Sequence, residues 1–425
     1  MKPVSLFSSL LLISQLSAHA ERAEWSSWRG PNGNGSLSDG EIQTEFSADG
    51  KGLAWKTPLT GRGCSTPVVA KGQLLLTAPV DGKDSIFSYD LKTGAEKWRL
   101  VLDSETPGRG QRVGSGANSS VATDGEHAVA YFKSGRVVGA KITGEKLWEI
   151  NLQEEFGETT LWWDQGTSPV AAAGNFVVAV MQTEGESYLV SLSAKTGEVV
   201  WKTERNIETQ KETGDSYTTP NVVTVDGVET IISFGANQLT GHDAKTGKLL
   251  WNCAGQNPDD KGMWRTIASS VHSDGVVVIP HARGEYSMGV KIGGKGDVTK
   301  SAVLWRKKIP SPDSATPVAR DGKIYQLVDS GKKRGTVLCL EAKTGKELWK
   351  EKLPRSPSVY YASPILVGNQ LCFLREDGAI FIAEFSDGGL GEVTEQKVGE
   401  ALIASPIFEG GSLILRSDKH LWCIR

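Results

Sequence analysis

The residue types that most often carry chemistry are scattered along this chain. The histidines fall in different repeat units, although His272 and His281 are close enough on a predicted hairpin to meet across it. No further ligand stands at a metal-binding spacing, and no Gly-x-Ser-x-Gly segment occurs as a strand-to-helix elbow. These patterns predict no catalytic residue and no metal centre.

The cysteines show no CxxC spacing and no adjacent pair. Buried thiols are therefore favoured over bridges, although one disulfide between neighbouring units stays open. The cysteines are Cys64, Cys253, Cys339, Cys372 and Cys423.

A second group of residues indicates binding rather than catalysis. Aromatic side chains mixed with Asp, Arg and Asn stand just ahead of the repeated apolar runs, where they could stack a flat ligand and hydrogen-bond its edge. The alternative is that these large residues only plug the central channel of the fold that the repeats described below predict. The candidates are Arg62, Asn118, Trp163, Asp164, Asp215, Tyr217, Trp264, Arg265, Tyr360 and Tyr361.

The elements that would position these residues are repeats. A Thr-Gly-x-x-x-Trp motif occurs five times and ends at Trp98, Trp148, Trp201, Trp251 and Trp349. Its glycine allows a positive φ, the acidic residue before it can accept backbone hydrogen bonds, and the tryptophan can fill the space between neighbouring units. A repeat of this length with short β-rich runs is typical of a propeller blade.

A second marker sets the number of blades. Small residues, often followed by Pro, precede a β-branched run eight times. This count predicts eight blades, and seven blades is the main alternative. The last unit ends without a fourth strand, whereas residues 53–56 resemble a lone fourth strand that carries Trp55. We predict an all-β, eight-bladed propeller over residues 53–425, closed by pairing of the two chain ends, with an N-terminal strap at 21–52.

Composition and the first residues limit location and partners. The chain has 47 basic and 50 acidic residues without like-charge blocks, so neither nucleic acid nor an anionic membrane is an expected partner. Residues 1–20 have the positive start, short apolar run and small residues of a signal peptide. No cysteine stands at the expected cleavage point, so we expect a periplasmic or extracellular protein without a lipid anchor.

The repeat resembles the PQQ-binding-like, or quinoprotein-type, β-propeller family, whose tryptophan-docking motif is A-x-D-x-x-T-G-x-x-x-W. The Thr, Gly and Trp positions match in all five copies, and the acidic position is kept at Asp90, Asp243 and Glu341. The segment at 25–35, W-S-S-W-R-G-P-N-G-N-G, is similar to the opening of exported, planctomycete-like members. More distantly, the chain resembles the outer-membrane protein assembly lipoproteins.

The resemblance implies two main functions. The first is a non-catalytic scaffold that binds a protein, a glycan or a small molecule at the propeller face. The alternative is a quinone-dependent oxidoreductase, whose family members hold PQQ with adjacent cysteines, Ca²⁺ and an aspartate base. This chain has no Cys-Cys pair, so neither PQQ nor Ca²⁺ is expected. A third possibility, breakdown of a polysaccharide, rests only on the aromatic residues.

Overall fold

Each of the eight predicted units folds into a four-stranded antiparallel sheet, and the sheets form the blades of a propeller around a central channel. The structure is a computed structural model that describes residues 24–105, 114–281 and 283–425. The predicted signal peptide lies outside the described residues. The eight sheets confirm the prediction of eight blades rather than seven.

Each blade contains four strands, which follow one another from the channel outwards. Blade 1 consists of Val68–Ala70, Gln73–Thr77, Lys83–Asp90 and Glu96–Glu105, and blade 2 of Ala122–Thr123, His127–Tyr131, Arg136–Lys141 and Lys146–Asn151. Blade 3 consists of Val170–Ala172, Asn175–Val180, Tyr188–Ser193 and Val199–Glu204, and blade 4 of Asn221–Val225, Val228–Gly235, Gln238–Asp243 and Leu249–Cys253. Blade 5 consists of Val271–Ser273, Val276–His281, Tyr286–Lys291 and Val303–Lys307, and blade 6 of Val318–Arg320, Lys323–Leu327, Thr336–Glu341 and Glu347–Lys352. Blade 7 consists of Ile365–Val367, Gln370–Leu374, Ala379–Ser386 and Gly389–Lys397, and blade 8 of Ile407–Glu409, Ser412–Arg416, His420–Ile424 and Leu53–Pro58.

Few elements lie outside this plan. Two short strands, Ser36–Leu37 and Gly296–Asp297, add in parallel to blades 7 and 4. The helices of the described chain are Leu152–Phe156, Thr299–Ala302 and the 3₁₀ turn Lys211–Gly214. Within the described residues, no helix combines the length and apolar character needed to cross a bilayer.

The apolar core lies between neighbouring blades. Strand Gln73–Thr77 is buried at every residue because both of its faces meet another blade. The outermost strand Glu347–Lys352 buries only Trp349. This difference explains why the inner strands are continuous apolar runs whereas the outer strands are mostly charged.

The tryptophans join each blade to the next one. The indole Nε1 of Trp201 donates to the carbonyl of Ala244 at 3.1 Å, and a Cβ added at Gly247 would lie 2.5 Å from the same ring. Equivalent hydrogen bonds of 2.8–3.1 Å start at Trp55, Trp98, Trp148 and Trp305. The Thr-Gly turn therefore receives the indole of the preceding blade, which explains why glycine and tryptophan recur together.

The turn itself has the predicted hydrogen bonds. One carboxylate oxygen of Asp243 accepts from the backbone N–H of Lys245 at 3.0 Å and from that of Thr246 at 2.8 Å. Asp90 makes the same contacts in blade 1. The acidic position therefore fixes the turn that presents the glycine.

The two chain ends close the ring as predicted. Strand Leu53–Pro58 pairs with His420–Ile424 and places Lys56 opposite Trp422. The Lys56 ammonium lies 3.9 Å from the centre of the Trp422 ring. Trp55 then contacts blade 1 through the carbonyl of Leu91 at 3.1 Å. The N-terminal segment thus supplies both the missing strand and its docking tryptophan.

A ring of hydroxyl groups surrounds the channel. In every blade the backbone N–H of one Ser or Thr donates to the hydroxyl of the equivalent residue in the next blade, at 2.8–3.2 Å. The ring consists of Thr66, Ser120, Ser168, Thr219, Ser269, Thr316, Ser363 and Ser405. These are the residues of the second sequence marker, and they are all buried.

Blades 5 and 7 depart from the repeat, as their sequences indicate. Blade 5 has no Thr-Gly turn, and Val298 and Ala302 share an apolar cluster with Trp251 instead. Blade 7 has neither the outer-strand tryptophan nor a Thr-Gly turn, and Phe385 packs edge-on to Tyr325 of blade 6, which lies against Trp349. Different apolar side chains thus fill the same space between blades.

The fold excludes two possibilities that the sequence left open, a metal held by His272 and His281 and a disulfide between neighbouring blades. His272 pairs with Val277 and His281 with Tyr286, so the two histidines lie at opposite ends of their hairpin and cannot share a metal. All five cysteines are free, and all but Cys64 are buried, so no disulfide joins neighbouring blades.

The glycine that receives an indole can be tested against a glycine without neighbours. Gly247 and Gly174 have similar φ values, +73° and +75°, but a Cβ at Gly174 would meet nothing within 4 Å. We expect Gly174→Ala to cost about 1 kcal/mol through the left-handed backbone, and Gly247→Ala to cost about 1–3 kcal/mol more through overpacking against Trp201. Urea unfolding of both variants checks this, and equal losses would contradict the docking role.

The hydroxyl ring can be tested at Thr316. Thr316→Val keeps the shape but leaves the buried N–H of Ser269 without an acceptor, which costs about 1–3 kcal/mol. Thr316→Ser keeps the hydroxyl and serves as the matched control. We expect faster amide exchange at Ser269 in the valine variant only. Unchanged exchange in that variant would argue against the ring as a source of stability.

Candidate functional site

The strap covers one end of the channel. Backbone N–H groups in blades 1, 2, 6 and 7 donate to strap carbonyls between Trp25 and Gly35 at 2.7–3.2 Å. The donors are Val69, Thr123, Ala319 and Leu366. Trp25 is buried, and Trp28 lines the channel. The ten candidate residues precede the innermost strands, so they lie around the opposite end, which we call the channel mouth.

At the mouth, Asp164 already has its partners. Its Oδ1 lies 2.6 Å from Lys133 Nζ, and the two side chains are 7% and 8% exposed. Its Oδ2 accepts from the backbone N–H of Gly116 at 3.1 Å and from Asn118 Nδ2 at 3.3 Å. This carboxylate thus joins three loops and is neutralised by an ion pair, which is the role of a structural group.

Asp215 and Tyr217 connect blades 3 to 5. Asp215 Oδ1 accepts from the backbone N–H and the hydroxyl of Thr183, both at 2.8 Å. The Tyr217 hydroxyl accepts from the backbone N–H of Trp163 at 3.2 Å, and burial raises the pKa of this phenol above its ordinary value. Tyr217 is therefore a neutral, buried support for the loop that carries Trp163.

The candidates of blade 5 are buried as well. Trp264 packs against His281 and Tyr286, with ring centres 6.2 and 6.1 Å away. Arg265 lies 3.3 Å from Asp313, and burial raises the pKa of this carboxyl although the guanidinium opposes the shift. The Trp264 ring is therefore part of the blade packing and is not offered at the mouth.

The remaining candidates, Tyr360, Tyr361 and Arg62, differ in their exposure. Tyr360 is buried 6.3 Å from Phe381, whereas Tyr361 lines the channel and Arg62 is exposed. Cys64 also lines the channel, and desolvation of its half-buried side chain raises the pKa of the thiol to about 11, so the thiol stays protonated at neutral pH. None of these groups is poised as a nucleophile.

The most exposed apolar side chains of the mouth are partly outside the predicted set. Trp162, Trp163 and Met263 are 63%, 42% and 49% exposed, and we call these three residues the rim patch. Their loops are connected, because Trp163 contacts Tyr217 and the Tyr217 N–H donates to Thr266. The sequence offered only the double tryptophan as a signal for this patch and nothing for Met263.

The residues present do not fit a calcium-held quinone. Among residues 24–105, 114–281 and 283–425, no three His, Cys, Asp or Glu side chains are grouped so that they could hold a metal ion. The Asp164 carboxylate of the mouth is already paired with Lys133. A Ca²⁺ site needs several converging oxygen ligands. The described mouth does not supply them.

Comparison with known proteins places the chain in a family. A curated relative, the outer membrane protein assembly factor BamB of Burkholderia pseudomallei, is 24% identical over 363 residues, which cover 84% of this chain and 82% of the relative. The structure of BamB from Moraxella catarrhalis has a TM-score of 0.60 at 14% identity and covers 88% of this chain and 99% of that chain. A europium-containing methanol dehydrogenase has a TM-score of 0.67 at 12% identity and covers 93% and 90% of the two chains.

Such low identities to solved structures show the shared fold alone, which is common to BamB and to quinone enzymes. The family described as outer membrane protein assembly factor BamB matches residues 37–185, 143–324 and 294–391. The resemblance based on the tryptophan-docking repeat is thereby confirmed, and the chain belongs to this family.

Proposed function

We propose that this chain is an exported, non-catalytic propeller that binds a partner protein through the rim patch. The observation that carries the proposal is the exposure of Trp162, Trp163 and Met263 on connected loops of one face. Trp162 and Trp163 are neighbours in the chain, exposed apolar patches mark interaction sites, and tryptophan is prominent among the residues that carry binding energy.

The polar groups around the patch support binding over catalysis. Asp164 is neutralised by Lys133, and Arg265 lies beside Asp313. A general acid or base needs a group free to exchange a proton with a substrate, whereas these side chains hold loops together. Their role is to give the apolar patch a fixed shape.

The relatives suggest the kind of partner. The family match and the curated relative carry the name outer membrane protein assembly factor, so we propose an outer membrane protein or a component of its assembly as the partner. Export through residues 1–20 to the periplasm is part of this proposal. A glycan or a small molecule is the weaker alternative, because the most exposed groups of the patch are apolar.

A photo-crosslinking side chain in place of Trp163 tests the patch in intact cells of the native host. We expect a discrete cross-linked species, identified by mass spectrometry as an envelope protein, and we expect its yield to fall at least about tenfold with Trp162→Ala, as for loss of a binding hot spot. The thermal stability of Trp162→Ala should be nearly unchanged because its ring is 63% exposed.

The matched control places the same probe at Leu249, which is 47% exposed on the outermost strand of blade 4. An identical cross-linking pattern from Leu249 would indicate nonspecific contact and would overturn the proposal. Trp264 and Tyr217 are unsuitable for this test, because both are buried and their loss would disturb the fold.

The oxidoreductase alternative has its own test. On addition of PQQ and Ca²⁺ to the purified chain, we expect no saturable change in quinone absorbance and no alcohol-dependent dye reduction, because no ligand set for Ca²⁺ converges at the described mouth. A saturable absorbance change that disappears in Asp164→Asn would contradict this and would favour the enzyme.

A further inference from the structure

A groove on the mouth face of blade 6 is lined by cations, and we call it the basic groove. It lies between the loop 328–335, which joins the second and third strands of the blade, and the segment 352–357 at the end of the fourth strand. Its volume is about 670 Å³. None of the described residues that line it is acidic. The cations of its lining are Lys332, Arg334, Lys352 and Arg355.

The Arg334 guanidinium lies between the two walls of the basic groove. Its Nε donates to the carbonyl of Gly331 at 3.2 Å, and its Nη1 donates to the carbonyl of Pro357 in the opposite wall. Both acceptors line the groove, and Arg334 is half-buried. A guanidinium has more N–H donors than these two contacts use. Arg334 is therefore held inside the groove with donors left for an anion, and the other three cations of the lining are exposed.

The cations of the basic groove differ from neighbouring surface cations in their ion pairs. Lys350, on the outer strand of the same blade, lies 3.2 Å from Glu347. In blade 7, Lys397 lies 3.4 Å from Glu395. Among the described residues, no carboxylate forms an ion pair with any of the four groove cations. The groove therefore concentrates positive charge that the chain does not neutralise.

One carboxylate touches the groove wall but belongs to another ion pair. Asp377 Oδ2 accepts from the Ser356 hydroxyl at 3.5 Å. Its Oδ1 lies 2.8 Å from Nε of Arg375, whose side chain is buried. Asp377 thus compensates the buried Arg375 of blade 7 and leaves the charge of the basic groove in place.

Hydrogen bonds connect the walls of the basic groove to the loop of the rim patch. Arg265, two residues after Met263, lies 3.3 Å from Asp313. The backbone N–H of Asp313 donates to the Asp329 carboxylate at 3.1 Å, and the Asp329 carbonyl accepts from the Tyr360 N–H at 3.0 Å. Asp329 precedes the first wall of the groove and Tyr360 follows the second. The groove and the rim patch therefore belong to one connected set of mouth loops.

We propose that the basic groove binds an acidic polypeptide segment, a run of Asp or Glu side chains on another protein. Hydrogen bonds between guanidinium and carboxylate groups are among the strong ones, and complementary charge speeds association and selects partners. A recess between two walls admits an extended segment, whereas a flat lipid surface would meet only the loop tips. The groove contains no residue of the rim patch, so this proposal does not depend on the function proposed for that patch.

The test is the fluorescence anisotropy of a labelled hexaglutamate peptide titrated with the full chain. We expect saturable binding that weakens as salt rises from about 50 to about 300 mM, and no binding of a hexalysine peptide. The double variant Lys332→Gln/Arg355→Gln should weaken the affinity for hexaglutamate about fivefold, as for the loss of two exposed charge contacts. The matched control Lys343→Gln/Lys346→Gln removes the same charge from exposed residues at the opposite face of blade 6, so its affinity should be unchanged.

Further measurements separate this proposal from its alternatives. Lys332 and Arg355 are exposed, so their double variant should unfold at the same temperature as the parent chain. Trp162→Ala should bind hexaglutamate as the parent does, which separates the basic groove from the rim patch. Equal losses in the two double variants would indicate general charge attraction and would overturn the proposal, as would an absence of saturable peptide binding. Binding of phosphatidylglycerol vesicles without binding of the peptide would assign the groove to a lipid surface instead.

Discussion

The closed ring of hydroxyl–amide hydrogen bonds around the channel is the constraint on which the rest of this structure depends. Each blade must present one Ser or Thr at the same height, and the last bond, from Ser405 to Thr66, exists only if the ring has closed. The bonds are buried, so each carries the cost of an unpaired donor if it is broken. The ring fixes the blades at the channel, and the tryptophans fix them farther out.

The hydroxyl ring and the docked tryptophans together hold the blades in place. The loops on the two faces of the propeller are therefore not needed to hold the blades and can take other roles. On one face, Lys133 and Asp164 connect loops of neighbouring blades and hold the rim patch in position. On the other face, the strap crosses the channel, where Trp28 lines it and Arg29 donates to the carbonyls of Pro317 and Pro364. The two ends of the channel therefore differ, with exposed apolar side chains at the mouth and the strap across the opposite end.

The shared fold explains why assembly factors and dehydrogenases are both structural neighbours of this chain. A propeller supplies a stable ring of loops, and the side chains on those loops decide what the protein does. In this chain two carboxylates of the mouth form ion pairs, Asp164 with Lys133 and Asp313 with Arg265. Among the described residues of the mouth, Trp162, Trp163 and Met263 are large apolar side chains exposed to solvent, and this exposure is the basis of the partner-protein proposal.

The sequence by itself determined the repeat, the eight blades, the docking tryptophans and the closure by Trp55, because these features depend on local turns and on a pattern that recurs along the chain. Only the tertiary structure decided which mouth residues are exposed. Tyr217, Trp264 and Tyr360 stand in loops, yet their rings are buried by neighbouring blades, and Lys133 reaches Asp164 from another blade. Burial and charge pairing depend on contacts between residues far apart in the chain, and single-sequence periodicity holds no information about them.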